Sequence, residues 1–285
     1  MSHQPINAAD LTLSRRIENL LVSRNLRGMK AVQPALKVGY YLRAAQLIQQ
    51  CQGVVLIGTG FPVAGTFETD GPVGAIALYN VCEQLGAKPI LVCGKPLSQV
   101  LAADYRVHEI FITHAEEAKR YTEKSLSELN PELVISIERP GLSREGRYFN
   151  MRGDDISHLC ANFDYFMTLS KCPTIGVGDG GNEIGMGNII PAISQLDIIP
   201  AVTACDELLI ADVSNWAAYG LIALLAKWQG EDFLATLQPL DILRHLSQHG
   251  SVDGVTGKNT LTEDGLPFTV GEELIANLRK LIGFV

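Results

Sequence analysis

Apolar positions follow two rhythms along this chain. In the first fifty residues they recur every three or four positions. "LSRRIENLLV" sets Ile17, Leu20 and Leu21 on one face, and "ALKVGYYLRAAQLIQQC" repeats the spacing, so both segments predict helices. Beyond residue 51 short apolar runs alternate with longer stretches. "VVLI" (54–57), "PILVC" (89–93), "EIFIT" (109–113), "ELVISI" (132–137), "TIGV" (174–177) and "ELLIA" (207–211) read as strands buried on both faces. Helices are predicted between them at 72–86, near 97–104, at 115–129, over "DISHLCANF" and at 215–229. Pro72 near the first turn and Gly86 just past the end frame the first of these. A βαβα rhythm of this kind predicts an α/β fold: a mostly parallel twisted sheet with helices on both faces, Rossmann-like. We read one domain overall, with a helical lead at 1–50 packed on an α/β body at 51–285.

In open α/β sheets ligands bind beyond the carboxyl ends of the strands. The polar, glycine-rich segments fall there: "GTGFPVAGTFETDGP" (58–72), "ERPGLSREGRYFNMRGDD" (138–155), "IGVGDGGNEIGMGN" (175–188) and "DVSNW" (212–216). Their convergence along one edge is the main functional expectation. Gly176, Gly178 and Gly181 match G-x-G-x-x-G, but Gly185, Gly187 and Pro191 interrupt the helix a dinucleotide loop requires. Two carboxylates in that loop would also repel a pyrophosphate. No GK[ST] follows either glycine loop, so no nucleotide is expected.

The loops instead offer acids, amides and guanidinium groups. Asp179 and Glu183 flank Asn182 in a bend where glycine lets backbone approach a ligand closely. Asp70 stands before a helix start, where an N-cap explains it equally well. Arg139 and Arg152 border apolar elements and suit a carboxylate, while Arg144 and Arg147 read as a solvated rim. Tyr148, Asn150 and Thr59 are further candidates for orienting a ligand. Asp206, Asp212 and Asn215 are placed on the same edge, with Asp212 or Ser214 equally able to cap the following helix. Asp253, in "SVDGVTG", fits an ordinary Asx-Gly turn. His114 and His158 read as structural.

Composition narrows the partners. A formal charge of -8 argues against nucleic acid. No apolar run reaches the ~20 residues that span a bilayer, so no membrane partner is expected. The six cysteines show no CxxC pair and read as small buried residues of a reducing compartment. "MSHQPINAADLTLSRRIENLL" carries no signal-peptide core, and a cytoplasmic location is the expectation. The oligomeric state is left open.

Taken together, "GTGFPVAGTFETDGPVGAIAL", "IERPGLSREGRYFNMRG", "IGVGDGGNEIGMGN", "CDELLIADVSNWAAYGL" and "VDGVTG" resemble the D-glutamate cyclase family over about residues 15 to 265. The resemblance implies conversion of D-glutamate to 5-oxo-D-proline with loss of water on an α/β fold. For that chemistry Arg139 or Arg152 would anchor the α-carboxylate. Asp70, Asp179 and Glu183 are the catalytic candidates, and Asn150, Tyr148, Asn182 and Thr59 would contact the small amino-acid substrate. The γ-carboxylate needs a proton or a Lewis acid before it loses oxygen. No cofactor is demanded, but hard oxygen ligands from Asp70, Asp179, Glu183 and Asp253 would suit Mg²⁺, Mn²⁺ or Ca²⁺. Two other readings stay open: metal-dependent hydrolysis of a phosphate or amide in the same acidic cleft, and a sensor that binds an amino acid without turnover.

Overall fold

A computed structural model describes residues 7–285; the first six residues of the predicted helical lead lie outside the described residues. Six parallel strands form the central sheet: β1 (Val54–Thr59), β2 (Lys88–Cys93), β3 (Val107–Glu109), β4 (Pro131–Ile137), β5 (Thr174–Gly178) and β6 (Glu207–Ile210). Their order across the sheet is β3-β2-β1-β4-β5-β6, the doubly wound arrangement of Rossmann folds. The fold class read from the sequence is therefore the one observed.

Successive strand residues face opposite sides, so an uninterrupted apolar run serves two cores. Val55 and Ile57 join the larger core, which also holds helices α2 (Tyr40–Gln50), α3 (Pro72–Gln84) and α6 (Ser214–Gln229). Leu56, Val92 and Val134 join the smaller one with Phe163 and Phe166, under α4 (Ala115–Leu129) and the short α5 (Asp164–Thr168). All residues of α6 from Ser214 to Ala226 are buried. Helices α1 (Ala8–Leu21) and α7 (Phe268–Ile282) close over it, so α6 is a core helix, apolar all round as such helices are. Ile17, Leu21 and Tyr41 of the N-terminal lead belong to the same core. Among the described residues no helix is long and apolar enough to cross a membrane.

Two expectations fail locally. "EIFIT" is not a strand: β3 stops at Glu109, and Phe111 and Ile112 are exposed in the loop beyond. β3 is an edge strand whose only neighbour is β2, so pairing ends with the partner and apolar content alone does not prolong it. "DISHLCANF" forms only the turn Ser157–Leu159, and the helix begins later, at Asp164.

Candidate active site

The crevice of this topology opens where β1 and β4 lie side by side with connections leading away in opposite directions. Thr59 and Ile137, the last residues of the two strands, are register partners. Glu138 follows at once with φ +48, a left-handed conformation that a side chain with a Cβ adopts only under constraint. Its buried carboxylate accepts Ser214 Oγ at 2.5 Å.

Two helix N-termini meet under this point, and each is capped by the other's loop. Asp70, just before α3, accepts Ser214 N at 2.8 Å and Asn215 N at 2.7 Å, the first N–H groups of α6. Asn215 Oδ1 in turn accepts Gly71 N at 2.8 Å and Gly74 N at 2.7 Å at the head of α3. Asp70 is thus an N-cap, but for the other helix. The positive ends of two helix dipoles point into the crevice and favour anions there.

The glycine loop after β5 supplies two more acids. Glu183 folds the loop on itself, accepting Gly180 N at 2.9 Å and Gly181 N at 2.7 Å; Gly181 turns with φ +114. Asp179 is fully buried. One of its oxygens accepts Arg27 Nη2, and Oδ1 has no partner among the described residues. Arg27 arrives from the N-terminal lead, and its Nη2 also reaches Asp264. The turn that carries it is pinned by Asp212, which accepts Arg24 N at 2.8 Å and Leu26 N at 3.3 Å.

Carboxyl groups of Glu68, Glu138, Asp179, Glu183 and Asp264 therefore crowd around one guanidinium, with Asp70 and Glu263 close beside them. Burial, then mutual repulsion, pushes Glu68, Asp70 and Glu138 well above the ordinary carboxylate range. Burial also pushes Asp179 well up, against the pull of Arg27. Glu183 is raised by burial, with the N–H groups of its loop working the other way. Burial opposes the charge of Arg27, but Asp179 and Asp264 more than offset it and push the guanidinium further up. So many acids cannot all ionise in a dry hollow. Protons or a bound cation must balance them.

A cation would have a place. One oxygen from each of Asp70, Glu138 and Asp179 lies within 4.8 Å of the others, all three residues buried. With the orphaned Oδ1 of Asp179, this oxygen-only set fits a hard divalent ion. It contains Asp70 and Asp179 of the expected ligands and adds Glu138. The oxygens of Glu183 accept N–H groups of its own loop, as those of Asp70 accept the first N–H groups of α6. Asp253 is engaged by Val255 N, Thr256 N, Thr262 Oγ1 and Gly265 N at 2.6–3.1 Å, the Asx turn that its sequence also allowed.

Over this floor lies a cavity of about 470 Å³. Its polar wall holds Arg27, Glu68, Glu138, Glu183, Asn150, Asn182 and Arg152. Asp70 and Asp179 sit behind that wall, in contact range of a cation but not among the lining residues. The open carboxylates are Glu68 and Glu138. Glu68 has no hydrogen-bond partner for its carboxylate among the described residues, and its Oε2 lies directly against Gly254.

The remaining expected residues divide. Arg152 lines the cavity from an exposed rim, with one N–H on Val255 O at 3.4 Å. Asn150 lines it too, its oxygen holding the turn through Arg152 N and Asp154 N. Asn182 lines it and donates to Phe149 O at 2.9 Å. Arg139 is not available for a substrate carboxylate: it donates to Thr59 O at 3.1 Å, Gly60 O at 3.3 Å and Ala161 O, over the Phe163 ring. Tyr148 donates to Asp164 at 2.8 Å and packs with Phe61 and Ile156 of the cavity wall without lining the cavity itself. Thr59 is buried and borders a neighbouring hollow of about 280 Å³. Asp206 lies at the opposite edge of the sheet, accepting Thr174 N at the start of β5. Sequence reasoning missed Arg27, for which no motif gives a signal, and Glu138, whose place directly after a strand end was the available sign.

Comparison with known proteins places the chain in a family. A family model described as D-glutamate cyclase-like, C-terminal, matches residues 17–279. The human protein named "D-glutamate cyclase, mitochondrial" is 29% identical, the match covering 86% of this chain and 49% of that protein. The chain thus spans about half the length of that relative. Among solved structures, an exopolyphosphatase-related protein from Bacteroides fragilis aligns with a TM-score of 0.41 at 8% identity, over 87% of this chain and 61% of that one. A 3-oxoacyl-(acyl-carrier-protein) reductase from Agrobacterium tumefaciens aligns with a TM-score of 0.26 at 13% identity, over 68% of this chain and 69% of that one. Likenesses this low carry no argument.

Proposed function

The chain belongs to the D-glutamate cyclase-like C-terminal family, and from that premise we propose that it converts D-glutamate to 5-oxo-D-proline and water. The observation that carries the reading is Glu68: a buried carboxylate on the cavity wall, raised in pKa and without a hydrogen-bond partner among the described residues. In the reaction the amine nitrogen bonds to the γ-carboxyl carbon, and one γ-oxygen leaves. Both protons given up by the nitrogen depart on that oxygen as water. A single carboxyl whose affinity for protons is raised by burial can accept a proton from nitrogen and return it to oxygen. Glu68 has that environment.

The other groups orient the substrate. Arg152 at the rim offers a guanidinium fork to the α-carboxylate. Glu138 offers negative charge to the ammonium. Folding the five-carbon chain so that amine and γ-carboxyl touch contributes by proximity. Asp70, Glu138 and Asp179 would hold a divalent cation such as Mg²⁺ or Mn²⁺, which supplies Lewis acidity toward a carboxyl oxygen when bound. The hydrolase alternative finds no support in the family.

The test is incubation of the protein with D- or L-glutamate, with Mn²⁺ or with a chelator, followed by chiral separation of products. We expect 5-oxo-D-proline from D-glutamate without nucleotide. Absence of product under every condition would overturn the reading.

A further inference from the structure

Glutamate has ten heavy atoms. At no more than a water's share of liquid each, about 30 Å³, it fills at most about 300 Å³, well short of the cavity's 470 Å³. Phe61, Pro62, Val63, Ile156 and Leu159 line the cavity beside its polar groups, and Phe61, Val63 and Ile156 pack in one cluster. An apolar wall in a polar amino-acid site asks for an apolar ligand group.

The wall has a definite position relative to the chemistry. Phe61 O accepts Glu68 N at 3.1 Å, and Pro62–Val63 pairs with Thr66–Phe67 in the hairpin that leads into Glu68. The wall therefore starts beside Glu68. A substituent on the amine would block attack, and one on the α-carboxyl would remove the anion that Arg152 suits. A substituent on the γ-carbonyl meets neither objection.

We propose that the cavity also takes γ-D-glutamyl amides and esters whose leaving group is apolar, releasing that group in place of water. This rests on the cyclase reading of the site. For an anilide the N–Cδ bond forms and the Cδ–N bond to the aryl amine breaks. The ammonium first releases one proton to solvent. The second proton the nitrogen gives up ends on the departing nitrogen, which leaves as neutral aniline. No oxidant, reductant or further reactant is needed.

The test uses γ-D-glutamyl-p-nitroanilide, D-glutamine and D-glutamate side by side, following 5-oxo-D-proline in all three and p-nitroaniline in the first. We expect kcat/KM for the anilide to exceed that for D-glutamine, which has only ammonia to release, by ~10-fold or more. Leu159→Lys should lower the ratio of anilide to D-glutamate turnover by a similar ~10-fold. Turnover of D-glutamate with an inert anilide would overturn this inference and leave the cyclase reading standing. Cleavage of the anilide to D-glutamate instead of 5-oxo-D-proline would overturn it too. If no substrate reacts, the cyclase reading falls and takes the inference with it.

Discussion

Asp253 and Glu68 lie on loops that touch. Val252 bridges to Glu68, and Gly254 packs against its carboxylate. Asp253 receives four hydrogen bonds, from three backbone N–H groups and one hydroxyl. Burial alone would raise its pKa, but the donations from Thr262, Gly265 and Thr256 outweigh it and hold the carboxyl below the ordinary aspartate range. Glu68, buried beside Asp264 and Asp70 with no donor among the described residues, is driven the other way. What drives the two carboxyls in opposite directions is the count of N–H and O–H groups aimed at each, since both are buried and neighbours.

Four substitutions sharpen or break that contrast. Glu68→Gln should lower kcat by roughly 10²–10⁴-fold, the scale of a lost proton-transfer group, while thermal melting is unchanged or raised. A variant that melts early would make Glu68 another scaffold acid. Asp253→Ala should do the reverse. It orphans four donors and should lower unfolding free energy by about 2–4 kcal/mol in urea titration, while kcat of the folded fraction stays within a few fold. Arg152→Ala should raise KM for D-glutamate by about 10-fold with kcat nearly kept, because a rim guanidinium serves ground state and transition state alike.

The smallest effect concerns pH. Burial holds Glu263 up to about 7, from an ordinary 4.5. Between those values the folded chain keeps a proton that the unfolded chain has lost, so this group makes stability fall as pH rises through that window. Glu263→Gln should flatten that part of the melting-temperature profile. An unchanged slope would mean the carboxyl is already ionised when folded.

The sheet was legible because each central strand is an apolar run bounded by polar loops, and the loops' convergence followed from parallel topology. The glycine loop and Asp70 were found on that basis. Arg139 and Glu138 both follow the strand end, but the chain turns at Glu138 with φ +48, and it is Glu138 that lines the cavity. Glu138 belongs to the crevice, while Arg139 stacks on Phe163 in the core of the other face. Position after a strand end pointed correctly to the pair and could not choose the member. Arg27 was illegible for another reason. Its turn is held by Asp212, 188 residues from Arg24, and nothing in "SRNLRGMK" records that partner.

The exchange of caps between α3 and α6 has a consequence for how the chain is made. The bonds from Ser214 and Asn215 to Asp70 join residues 144 and 145 positions apart. A ribosome delivers Glu68 and Asp70 long before it delivers the helix that locks them in place. Until then these carboxyls remain in water and ionised, and the dry crevice that holds them is assembled only when α6 docks.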